Sequence, residues 1–166
     1  VMRVALVRGK HSIWPPFIIY SVLIGVLMSV FLIVGIDFAT LGEAFLISAA
    51  AFGIMGMIGY FSKKNLNILG MVAMSFLLMT ILFGFTSLLL FILVPGLLTV
   101  YSIVYSIVIM AVLLIMVAVD TYNIKKIMAA GSATNNLTLY CAYIMYADFI
   151  AILVRVIMLL ARSKRN

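Results

Sequence analysis

Of the chain's 166 residues, 67% are hydrophobic and only 9% are charged. A soluble domain carries about 25% charge, and so few charges cannot cover a folded surface of this size in water. The net charge of +7 could suit nucleic acid. Yet the Lys and Arg residues sit in short gaps between apolar runs, without basic–aromatic interleaving, which excludes nucleic acid and points to membrane topology. The length accommodates one helical bundle and not two domains.

In chain order, Val1 to Lys10 mixes apolar residues with Arg3, Arg8 and Lys10 and reads as the end of a helix. His11 to Pro16 forms an interfacial break, with Trp14 at headgroup level and Pro15-Pro16 at a helix start. Segment one, 17–36, is uncharged over the length needed to cross a bilayer. Asp37 and Thr40 follow as turn and cap residues. Segment two spans about 41–61 and ends at Ser62-Lys63-Lys64-Asn65. Segment three spans about 66–94 and stops at Pro95-Gly96. Segment four, about 97–124, carries Asp120 near its end and precedes Lys125-Lys126. A polar loop, Gly131 to Thr138, leads to segment five, 139–160, which contains Asp148 and Arg155. The tail, Arg162 to Asn166, is basic. The expected fold is therefore an all-α polytopic membrane bundle forming one domain over residues 1–166.

The charges orient these spans. Arg3/Arg8/Lys10, Lys63/Lys64 and Lys125/Lys126 are separated by two crossings each, so all fall on one side, the cytoplasm. Asp37, Glu43 and the neutral Pro95 turn fall on the other. The tail breaks the pattern: a full fifth crossing carries Arg162, Lys164 and Arg165 to the outer side. Either segment five is re-entrant, or its hydrophobicity overrides a short basic tail.

Ala49, Gly53 and Gly56, with Gly59 beyond, line one face of segment two. Small residues let helix backbones approach closely in lipid, so this face is expected to pack. Cys141, the single cysteine, lies in an apolar run and reads as a small buried hydrophobe.

Asp148 is the most informative residue. A lone carboxylate in mid-membrane costs about 2.5–3.5 kcal/mol or more, so it needs a partner, a proton or water. Asp120 has a competing reading as an interfacial acid neutralised by Lys125 and Lys126. Brought together, the two carboxylates would share a proton and titrate as a pair, making a pH-dependent latch. They would also offer oxygen ligands to a hard cation such as Ca²⁺, weakly enough to suit passage. An arginine could close the latch on the ionised acids, with Arg8 and Arg3 as candidates from the cytoplasmic edge. Arg155 lies seven residues after Asp148 on the same helix face, about 10 Å along the axis, and is expected to snorkel to the interface.

No catalytic set emerges, and the chain is expected not to be an enzyme or to hold a resident cofactor. The only histidine, His11, has no second His or Cys beside it. Intramembrane aspartyl proteases also use two membrane aspartates, but with Tyr-Asp and Gly-x-Gly-Asp motifs. Here the acids stand in Val119-Asp120-Thr121 and Ala147-Asp148-Phe149.

Three stretches together resemble the Bax inhibitor-1, or transmembrane Bax inhibitor motif, family, especially its bacterial members. AFLISAAAFGIMGMIGYFSKKNLNILG is similar to the family's small-residue helix and its Lys-Lys-Asp-Leu type turn. VAVDTYNIKKI resembles its Tyr-Asp-Thr-Gln segment, and LYCAYIMYADFIAILVRVIMLL its Leu-Tyr-Leu-Asp-Phe-Ile-Asn-Leu-Phe helix. The resemblance implies a seven-helix fold with the last helix central, and a pH-sensitive calcium leak governed by a di-aspartyl pair. Those aspartates fall on Asp120 and Asp148, and the family's latch arginine on Arg8, with Arg3 as the fallback. Val119, Tyr122 and Ala151 replace the family's motif tyrosine, glutamine and asparagine, so the hydrogen-bond surroundings of the pair differ. The family's first helix and most of its second have no counterpart, so the chain is expected to be a fragment, its five spans the remainder of seven.

Two functions compete on these grounds. One is the calcium leak, with calcium as the permeant ion. The other is a non-transporting regulator that binds another membrane protein, such as a protease or a cell-death or stress factor. The resemblance implies a bacterial plasma membrane, with the endoplasmic reticulum or another organelle membrane as the alternative.

Overall fold

The computed structural model describes residues 14–33, 35–93, 98–130 and 135–164. Among the described residues five helices follow one another: α1 (Trp14–Ile33), α2 (Phe38–Phe61), α3 (Asn67–Leu93), α4 (Leu98–Ala129) and α5 (Asn135–Ser163). All five contain stretches long and apolar enough to cross a membrane. Among the described residues there is no strand. The all-α membrane architecture read from the sequence is the one observed.

The helix ends move by a few residues, each for a local reason. α1 begins at Trp14, so Pro15 and Pro16 lie in its first turn, where their missing N–H groups leave no helical bond unmade. It ends at Ile33 because Gly35 adopts φ 85°. The Gly35 and Ile36 amides then donate to the Leu32 and Phe31 carbonyls, closing the helix end. α4 continues past Ile124 to Ala129, since nothing in that stretch breaks a helix and Lys125 and Lys126 are favourable near a helix C-terminus. α5 is described from Asn135, ahead of the apolar run.

The chain forms two compact units, Val1–Ala49 with Asn123–Asn166, and Ala50–Tyr122. In the first, α1 and α5 run parallel. Near their starts, Phe17 and Tyr20 meet Tyr143 and Tyr146. Near their ends, Phe31 shares a cleft with Met158 and Arg162. The first half of α2 packs on α5 as well. The Phe45 and Phe149 rings meet edge to face at 5.6 Å. The Lys164 ammonium lies 3.2 Å from the Glu43 carboxylate and donates to the Thr40 hydroxyl at 2.8 Å. Within this unit the last helix is thus central, flanked by both others.

These contacts show how α5 runs beside α1. It is unbroken for 29 residues, about 44 Å at the α-helical rise, and accompanies α1 along both halves. A re-entrant segment would turn back instead. Lys164, in the basic tail, lies beside Glu43.

The packing stripe of α2 in this unit is Thr40, Ala44 and Ser48, spaced by four and almost completely buried. These residues are small enough for a close helix approach, yet none is a glycine. Ala49 is exposed.

In the second unit, α4 receives α2 and α3 through glycines. A Cβ on Gly59 would overlap the Ala118 carbonyl, so only glycine allows that backbone approach. A Cβ on Gly70 would stand 2.8 Å from a Val119 methyl. Higher up, the Tyr105 hydroxyl donates to the Thr80 carbonyl at 3.2 Å. Gly53 has nothing within 4 Å of where a Cβ would stand, and Gly56 meets only the Thr121 hydroxyl, at 3.8 Å. The tight contact expected of Ala49, Gly53 and Gly56 is therefore displaced to Gly59. A helix face drifts with its 3.6-residue period, and the face that reaches α4 is the one carrying Gly59.

Outward surfaces suit lipid. α1 has no buried residue and exposes a continuous set of Ile, Val and Leu side chains. Hydroxyls on such surfaces bond within their own helices: Ser29 to the Gly25 carbonyl, Ser75 to Met71, Thr80 to Phe76 and Thr86 to Leu82. Each donor is satisfied without water, which lipid cannot provide.

Candidate functional site

Asp148 lies about 20 Å along α5 from Asn135 and a similar distance from its end, so it is held near mid-span. The residue is half-buried, and its Oδ2 is sealed from solvent. An aromatic cluster ties α1 to α5 just ahead of it in sequence. Phe17 and Tyr20 of α1 meet Tyr143 and Tyr146 of α5 in four ring pairs with centroids 5.4–6.1 Å apart. Trp14 adds an edge-to-face contact on Phe17 at 6.5 Å. The pairs approach edge to face or tilted, as aromatic quadrupoles prefer. Spacing this close leaves no room for an ion between the rings, so the cluster is a clasp and not a cage. Tyr20 is near enough to Asp148 for the two to interact electrostatically. The clasp thus places a hydroxyl at the level of the carboxylate.

Ser48 is fully buried on α2, and its hydroxyl has no hydrogen-bond partner among the described residues. A buried hydroxyl in this position is available to water or an ion, at the desolvation cost that an unmade bond carries.

Asp120 belongs to the second unit. It is 7% exposed and lies about 14 Å before the end of α4 at Ala129. It is therefore a buried residue of the helix interior, not the helix-end acid that a segment stopping at Ile124 implies. Val117, Ala118, Val119 and Tyr122 around it are buried too. Thr121 bonds its own helix at the Val117 carbonyl, 2.8 Å away. A Val119 methyl lies against Gly70, close to where a Cβ would stand.

Each aspartate is thus found in the interior of its own unit. Arg8 and Arg3, the latch candidates, lie outside the described residues. Arg155 is half-buried on α5, eight residues before its end. Cys141 is buried and free, as a small hydrophobe would be. Among the described residues no three His, Cys, Asp or Glu groups gather as a metal cage.

Sequence reading missed the clasp and Ser48. A signal for the clasp was present: Tyr143-x-x-Tyr146-x-Asp148 puts hydroxyl-bearing rings just before the acid. Their partners on α1 are more than a hundred residues away, and no local pattern links them. Ser48 was hidden behind the glycines that follow it.

With this geometry in hand, one comparison is informative. A family model described as inhibitor of apoptosis-promoting Bax1 (Bax1-I) matches residues 11–166, nearly the whole chain. No curated protein and no solved structure matches.

Proposed function

From the chain's membership of the Bax inhibitor-1 family, to which it belongs over residues 11–166, we propose that it is a pH-sensitive calcium leak governed by Asp120 and Asp148. The observation that carries the reading is the setting of Asp148: a carboxylate at mid-span of an apolar helix, with one oxygen sealed from solvent. Such a group is costly in a membrane without a charge, a proton or an ion to meet it. Asp120, also buried, is the second such acid.

In this reading the two carboxylates titrate as one unit. At higher pH both ionise and hold the latch arginine, Arg8 or Arg3, which closes the path. At lower pH one proton, shared by the pair, halves its negative charge, the arginine is released and the path opens. Calcium passes as the permeant ion, meeting two hard oxygen ligands that are too few to retain it. No covalent chemistry is involved, and the chain is read as non-enzymatic. The test is calcium flux into liposomes carrying the chain, between about pH 6 and 8. Flux should rise as pH falls, and Asp148→Asn should abolish that rise. An Asp148→Asn variant with the parent's flux and pH profile would refute the reading.

A second reading, a non-transporting regulator of another membrane protein, is favoured by one observation. Ala49 is exposed and Gly53 has nothing within 4 Å, so these small residues present an open surface. Small residues in lipid are docking surfaces for helices. The chain should then co-purify with a stoichiometric partner and carry no flux, and Gly53→Leu should abolish the co-purification.

A further inference from the structure

Ser48 is a buried polar group that the leak leaves without a role. Its side chain is fully covered, and its hydroxyl has no hydrogen-bond partner among the described residues. Ser29, Ser75, Thr80 and Thr86 turn their hydroxyls back to the carbonyl four residues earlier, whereas Ser48 does not take that of Ala44. An unmade bond of a buried hydroxyl costs stability. Alanine, which fills position 44 on the same face, would close the helix contact without that cost. Packing therefore gives the oxygen nothing to do. Its position follows from the contacts of α2 with α5. Lys164 of α5 reaches Thr40 and Glu43 of α2, and Phe149 of α5 meets Phe45. The two helices therefore run antiparallel. At about 100° per residue, Ser48 falls between Thr40 and Phe45 around α2, so it faces α5. Along the axis it lies one turn beyond Phe45, and Asp148 adjoins Phe149. Ser48 and Asp148 thus stand within about 5 Å of the same level.

We propose that Ser48 is an ion-contacting residue, its hydroxyl serving as a neutral oxygen ligand for the calcium ion that passes Asp148. The inference rests on the leak proposed above and adds to it a ligand from α2. Calcium takes about six to eight hard oxygens in flexible geometry, waters included. A serine oxygen is hard and carries two lone pairs. No protein group among the described residues engages it, so an arriving ion breaks no hydrogen bond to claim it. Asp148 can keep its other contacts, because an ionised carboxyl offers about four acceptor sites. The hydroxyl also brings no charge. A further carboxylate would hold a divalent ion, whereas a neutral ligand steadies it and lets it leave. The Ser48 hydroxyl and the Asp148 Oδ2 are both sealed from solvent, so the ion reaches them only when the helices part along the path.

The test is calcium flux in liposomes carrying the full chain, with Ser48 exchanged for a residue of nearly its own size. Ser48→Cys trades a hard oxygen for a soft sulfur. It should raise the calcium concentration for half-maximal flux by about fivefold and make flux sensitive to block by Cd²⁺, a soft ion. The parent, whose Cys141 is buried and free, should ignore Cd²⁺. So should Ser29→Cys, at an exposed position of α1. Ser48→Ala should show the same rise in half-maximal calcium without the cadmium block. In both Ser48 variants the dependence of flux on pH should match the parent's, which shows that they fold and gate. A packing role would change stability or maximal flux but would confer no cadmium block. If both variants keep the parent's calcium dependence and Ser48→Cys ignores Cd²⁺, the inference falls while the leak stands. Loss of folding in both would make Ser48 a packing residue and overturn the inference as well. A parent without calcium flux, or Asp148→Asn with the parent's pH profile, would overturn the leak and the inference together.

Discussion

In the first unit α1 meets α5 through rings with centroids 5.4–6.1 Å apart, and α2 reaches the end of α5 through a lysine clasp. In the second, α2 meets α4 at Gly59 with no side chain between the backbones. Large amphipathic groups hold helices at a distance and tie them by geometry and charge. Glycine brings them together and relies on dispersion over a close contact. The two solutions surround different acids. Asp148 stands near the Tyr20 hydroxyl, whereas Asp120 is buried in a stretch with Val117, Ala118, Val119 and Tyr122. The comparison therefore predicts different sensitivities: steric in one unit, chemical in the other.

The largest effect should come from filling the glycine contact. Gly59→Ala forces a methyl into the Ala118 carbonyl and should cost about 1–3 kcal/mol, the range for overpacking, with Gly59→Leu costing more. Unfolding in mixed micelles measures it. An unchanged stability would mean that α2 and α4 do not meet there.

The clasp should respond next. Tyr143→Ala removes two ring pairs, with Phe17 and Tyr20, each worth about 0.5–1.5 kcal/mol. A double-mutant cycle of Phe17→Ala with Tyr143→Ala should return a coupling within that range for the single pair they share. Tyr20→Phe should leave stability nearly unaltered, because the ring contacts survive, yet shift the pH profile of flux, because Tyr20 interacts with Asp148. A coupling of zero would remove the clasp from the account.

The lysine clasp is weaker. Its ion pair is half-exposed on both sides, and pairs of that kind contribute about 0–1 kcal/mol. Lys164→Ala should therefore cost about 1 kcal/mol at most, less at high salt. Gly53→Ala should be nearly silent, within about 0.5 kcal/mol, since the added methyl meets nothing.

The five spans were legible in the sequence because bilayer thickness sets a length that apolar runs must match. Their ends were less so: Pro15 and Pro16 stand at a helix start as read, but α4 runs on past Ile124 to Ala129. The uninterrupted stretch through Lys125 and Lys126 hid how deep inside its helix Asp120 lies. Both acids stood out for their cost in an apolar environment. The ring cluster and the course of α5 did not, because each depends on residues far apart in sequence lying side by side. Glycine also misled. Gly53 and Gly56 suggested the tight face of α2, but the buried stripe of its first half is Thr40, Ala44 and Ser48. Size and register decide packing together, and only size is visible one residue at a time.

The central claim is that Asp120 and Asp148 titrate as one unit that gates calcium. Flux against pH for the parent chain, Asp120→Asn, Asp148→Asn and the double variant tests it most directly. Coupled acids predict that either substitution alone flattens the pH profile and that the double variant does no more than a single one. A pH-dependent flux that survives in the double variant, or two single effects that simply add, would contradict the account.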